Sequence, residues 1–167
     1  GNLLFYIGAS TNFGTQQAWM HKVWNQNNQV MPNGDSLMGN TSMTQGALII
    51  PDIITQNHFY IFHIGVLSGV GRYLYYSIVD MAANGGSGDI ILKNLPLTIL
   101  NNNSVIEKMI AVRHGNGRDW WLIVHDFDTT FYSFLISPAG ISAPISQSIG
   151  TSLALGRSAG QMQISPD

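Results

Sequence analysis

His114, Arg118 and Asp119 share one short span, with Trp120 and Trp121 directly after it. An arginine fork grips a carboxylate through two parallel hydrogen bonds. A histidine exchanges a proton near neutral pH, and an indole offers a flat apolar face. His114, Arg118, Asp119 and Trp120 are therefore the candidate ligand-binding residues of this chain. The same span has a plainer reading. Asn116-Gly117 is a dipeptide favoured in two-residue hairpin turns, and polar residues beside tight turns generally serve the turn. On that reading Arg118 and Asp119 tie a hairpin together by hydrogen bonds and a salt bridge. Trp19, Trp24, Trp120 and Trp121 suggest carbohydrate stacking. Neighbours on a strand point to opposite faces, however, so Trp120 and Trp121 both become core residues wherever both faces of the sheet are covered.

Other constellations are incomplete. His21, His58, His63, His114 and His125 are scattered, without His-Glu-x-x-His or another metal spacing. Asp126-Phe127-Asp128 lacks the remaining ligand positions and the glycine of a calcium loop, and reads as a turn. Glu107 is the single Glu, so no Glu pair exists for acid–base hydrolysis. Gly85-Gly86-Ser87-Gly88 is a glycine turn without the Gly-x-Ser-x-Gly spacing of a nucleophile elbow. Gly69-Val70-Gly71 has no helix after it and is not a dinucleotide fingerprint. With no Cys, thiolate metal sites and a cysteine nucleophile are excluded. The expectation is no catalytic residue, no metal and no cofactor; an Asp pair meeting across sheets stays open.

The elements that must position these residues read as strands. Apolar residues make up 45% and charged residues only 10%, against roughly 25% charged in an ordinary soluble domain. Asn, Gln, Ser and Thr supply the rest of the polarity, which suits turns and sheet faces better than helices. Seven Lys and Arg against nine Asp and Glu give a charge of −2. No basic cluster exists, so no nucleic-acid partner is expected. No apolar run reaches the ~18 residues of a spanning helix, so no membrane insertion is expected. The first residues lack the basic segment of a signal peptide.

Roughly twelve short strands follow each other at the 8–12-residue rhythm of sandwiches and propellers. Strands are expected at Leu3 to Ile7, Lys22 to Asn25 with Gln29 to Met31, Ala47 to Ile50, Phe59 to Ile64, Arg72 to Met81 and Ile90 to Leu92. The second half adds Lys108 to His114, Trp120 to His125, Phe131 to Ile136, Ile145 to Ile149 and Gln161 to Ser165. Pro32-Asn33-Gly34, Asn84 to Gly88 and Pro138-Ala139-Gly140 mark turns between them. A short helix is the alternative for Gln16 to Val23. Ala47 to Ile50 is apolar throughout, the mark of a strand buried on both faces.

Ile49-Ile50-Pro51-Asp52 resembles Ile164-Ser165-Pro166-Asp167, 115 positions later, with Ile110-Ala111-Val112-Arg113-His114 between them. The implied repeat is about 55–60 residues, or four strands with an apolar innermost one, which is the pattern of a β-propeller blade of WD40-like kind. The expectation is an all-β propeller segment of about three four-stranded antiparallel blades in permuted register. Residues 1–46, 47–107 and 108–160 form the blades, and 161–167 start the next. Ala47 to Ile50, Met109 to Arg113 and Gln161 to Ser165 are the inner strands. Three blades cannot close a ring of 4–8, so flanking blades or a self-dimer must complete it. A β-sandwich adhesin, which needs no such repeat, is the weaker fold.

Three segments carry a resemblance across nearly the whole chain. They are Val23 to Gly34, Tyr76 to Met81 with Asn84 to Asp89, and His114 to Trp121. Together they resemble the propeller region of large secreted surface proteins of Bacteroidetes, which carry PKD-type domains and type IX secretion or gliding-motility sorting tails. The resemblance implies a secreted or cell-surface location and a binding or scaffolding role toward a protein or glycan. It carries over no catalytic residues. A propeller-type glycan hydrolase or lyase completed by other blades is the alternative.

Overall fold

The structure is a computed structural model that describes residues 2–9, 20–40, 43–67, 71–97, 104–152 and 159–165. The chain is all-β, with three antiparallel sheets, none closed on itself among the described residues. The first sheet has the order β1 (Phe5–Ala9), β2 (Met20–Asn25), β3 (Leu37–Met38). The second is a meander of β4 (Ala47–Pro51), β5 (His58–Leu67), β6 (Gly71–Asp80) and β7 (Asp89–Pro96). The third runs β8 (Val105–Arg113), β9 (Trp120–Asp126), β10 (Thr130–Ser137). Its outer position is shared by β11 (Gly140–Ile141) and β12 (Ile145–Ser148), which pair with opposite ends of β10. Ala143-Pro144 breaks that edge into two, as proline does where a ladder donor is needed.

Local chemistry explains the turns. Asn25 accepts the Asn27 and Gln29 amides on its side-chain oxygen, which folds the chain back so that Val30 bridges to Trp24. The Gly34 amide closes Pro32-Asn33 onto the Met31 carbonyl, with Asn33 left-handed at φ 53°. Asn84 and Gly85 are also left-handed, so the single turn α1 (Ala83–Gly86) acts as the expected glycine turn. Where Gln16 to Val23 allowed a helix, residues 20–23 belong to β2, and 16–19 lie outside the described residues.

The sheets pack face to face, with β3 against β5 and β7, and β4 and β6 against β8. Ile50, Phe62, Ile64 and Leu74 of the second sheet meet Met109, Leu122, Val124, Phe134 and Ile136 of the third. On the other side Ile61, Val79 and Ile90 meet Phe5, Val23, Met31 and Leu37 of the first. Consecutive residues of β5 thus enter different cores, as a period of two requires. A large apolar side chain buried in this way contributes about 1.5–3 kcal/mol.

Two expectations change here. Burial on both faces belongs to β5 and β6, the two inside strands of the middle sheet. β4 is an edge strand with Ile50 buried and Ile49 39% exposed. Gln161 to Ser165 forms no strand. Gln161, Gln163, Ile164 and Ser165 are all exposed, so the segment has no apolar face to hold it in a ladder. It is tethered instead by the Met162 amide, which donates to Gln45 Oε1, the atom that also accepts from the Met109 amide.

Candidate functional site

The span from His114 to Asp119 is a loop between β8 and β9, closed by the His114 amide donating to the Asp119 carbonyl at 2.8 Å. It is longer than a two-residue turn. Asn116 supplies the reason: its Oδ1 accepts the Arg118 and Asp119 amides, both at 3.0 Å, and so replaces the backbone pairing of a tighter hairpin. Its own amide donates to His114 Nδ1 at 3.1 Å, and Gly117 takes the left-handed position at φ 74°.

The charged pair closes over this loop. Arg118 Nε donates to Asp119 Oδ1 at 2.7 Å and Nη2 to Oδ2 at 3.2 Å. Asn116 Nδ2 adds a third bond to Oδ2 at 2.8 Å. The Arg118 side chain is 60% exposed and that of Asp119 only 6%. Arg118 above all, then Asn116, holds the Asp119 carboxyl below the usual carboxylate range. The same hydrogen bond raises the Arg118 pKa. The fork of Arg118 is thus already set on a carboxylate of its own loop.

Trp120 begins β9 with the Arg113 guanidinium 4.7 Å above its ring, and Arg113 Nη1 donates to the Gly117 carbonyl. Its ring packs against the core between the second and third sheets, while Trp121 lies beside His114 at 5.6 Å. The structure therefore brings His114, Arg118, Asp119 and Trp120 together around one loop, with Arg113 and Asn116 as members that the motif alone did not single out. Trp24 stacks on Tyr6 at 5.3 Å; Trp19 lies outside the described residues.

The remaining polar residues join sheets. Glu107 sits in an irregular stretch of β8, where the pairing with β9 shifts between Val105 and Met109. Bulges of this kind re-aim a side chain. Its carboxylate meets Arg72 Nη1 of β6 at 3.2 Å and accepts the Thr44 amide at 3.0 Å. His63 joins the first two sheets. Its Nδ1 lies 2.6 Å from the Met38 carbonyl and its Nε2 3.0 Å from Ser77 Oγ, which accepts the Asn94 amide. One proton arrangement satisfies the chain: Nδ1–H donates to Met38, and the Ser77 hydroxyl donates to Nε2. Burial drives the His63 pKa down to about 4, and nearby His21 adds to the shift. Burial likewise lowers the pKa of His21.

Asp126-Phe127-Asp128 is a turn in which Asp126 Oδ1 accepts the Asp128 and Thr130 amides. Gly71 opens β6, while Gly69 and Val70 lie outside the described residues. Among the described residues no three His, Asp or Glu side chains converge as a metal centre requires, and no helix is long and apolar enough to cross a membrane.

One cleft, of about 330 Å³, lies away from the loop, between the third sheet and residues 150–151 and 161–163. In the comparisons with known proteins, no family model, no curated protein and no solved structure matches this chain.

Proposed function

We propose that the chain is a β-propeller segment that serves as a non-catalytic binding or scaffolding module of a secreted or cell-surface bacterial protein. The observation that carries this reading is the stacking of the meanders. Two antiparallel sheets of the same strand order lie face to face, and their first strands, opening at Ala47 and Val105, pack together about 58 residues apart. The first sheet adds a third layer on the other side. A propeller needs sheets that follow one another along the chain and pack side by side, and this stacking supports that reading. The resemblance to secreted Bacteroidetes propellers supports the location.

Two of the buried carboxyls are already paired within the chain. Glu107 is neutralised by Arg72, and Asp119 by Arg118. A propeller-type glycan hydrolase or lyase needs a carboxyl free to exchange protons with substrate. The test is the mass in solution by light scattering on a sizing column. A discrete species of about 36 kDa, twice the 18.2 kDa chain, is expected if two copies complete a six-bladed ring. A stable monomer that shows no tendency to associate argues against blades that need neighbours.

A further inference from the structure

Lys108, His125, Phe131, Gly150, Gln161 and Gln163 line the cleft on the third sheet. Leu122, Val124, Tyr132 and Phe134 face the second sheet, so by strand alternation His125 and Phe131 face the other way, toward the cleft. The His125 ring is fixed. Its Nδ1 lies 2.6 Å from the Asp126 carbonyl, and Phe131 packs on it edge to face at 4.3 Å. With Nδ1–H donating, Nε2 is left as an acceptor. Gly150 packs on the Nε2 side of this buried ring, since a Cβ there would come within 2.5 Å of Nε2. Lys108 runs its stem along Gly160, where a Cβ would lie 3.4 Å from Cε. Met162, tethered through Gln45, supplies an apolar wall opposite the sheet.

We infer that this cleft binds an acidic sugar, a hexuronic acid unit of a glycan. One ammonium answers one carboxylate. The His125 acceptor takes a hydroxyl proton, the Gln161 and Gln163 amides match further hydroxyls, and Phe131 and Met162 suit the apolar face of a pyranose. The volume fits one ring. Among the described residues the cleft offers a phosphate a single cation, Lys108, and its apolar wall has no counterpart on a phosphate. The inference rests on the binding reading above and names its ligand class.

The experiment is calorimetric titration of the whole chain with D-glucuronate, D-glucose and inorganic phosphate, with the mass recorded on the same sample. Saturable glucuronate binding is expected, with glucose weaker by about tenfold or more, the worth of one charge-assisted hydrogen bond. Lys108→Met and Gly150→Ala each reduce glucuronate binding about tenfold with circular dichroism unchanged. No glucuronate binding, binding that Gly150→Ala leaves intact, or phosphate binding as tight as glucuronate overturns the inference. The recorded mass judges the propeller reading separately: a closed ring that ignores glucuronate loses the ligand and keeps the scaffold.

Discussion

Asn116 does more for the loop after β8 than either charged residue beside it. Its side chain accepts two backbone amides and donates to Asp119. Asn116→Ala is expected to cost about 1–2 kcal/mol in urea unfolding, the worth of one or two such hydrogen bonds. An unchanged midpoint counts against this role. His63 sets a pH dependence. Its folded pKa is about 4 against an ordinary 6.5, so between those values the unfolded chain binds a proton that the folded chain does not. Its contribution is complete above pH 6.5, falls as pH drops, and levels off below 4. The loss amounts to about 3 kcal/mol. His21 works in the same direction. Unfolding midpoints at pH 7.5, 5.5 and 4 follow this slope, and His63→Gln is expected to flatten it. The candidate cluster was legible as residues that belong together because all of them lie within one hairpin. The pairing of Glu107 with Arg72, from a different sheet, was not, since no local pattern links them.

At the scale of elements, sheet contacts depend on a few close approaches. A Cβ at Gly65 would come within 2.6 Å of Met38 Cβ and 2.9 Å of the Tyr75 ring. This glycine lets β3 lie directly on β5. Gly65→Ala is expected to destabilise by about 1–3 kcal/mol, the usual cost of overpacking, read as a lower thermal midpoint with strand content unchanged. Glu107→Gln weakens the tie between β6 and β8 by about 1–3 kcal/mol, checked by the urea midpoint. Strand positions were readable from turn chemistry: Pro32-Asn33-Gly34, Asn84 to Gly88 and Pro138-Ala139-Gly140 all fall between or beside strands. Burial was not. An apolar run looks the same on an edge strand as on an inside one, and for that reason β4 carried an expectation that belongs to β5 and β6.

The whole molecule is a stack in which the middle sheet is covered on both faces and the outer sheets turn a second face outward. β12 adds an exposed edge with Ile145 54% exposed, and Ile149, directly after it, is 74% exposed. Such edges promote pairing between chains. Ile145→Lys is expected to lower self-association, measured by light scattering across a concentration series. Unchanged association places the contact elsewhere. The sequence by itself determined the all-β class and most of the turns. These follow from backbone preferences and side-chain alternation within a few residues. Only the tertiary structure decided which strands are covered twice, that Gln161 to Ser165 lies unpaired, and that His125, Lys108 and the C-terminal glutamines share one cleft. Each depends on surfaces brought from distant parts of the chain, and packing between such surfaces leaves no periodicity in either segment alone.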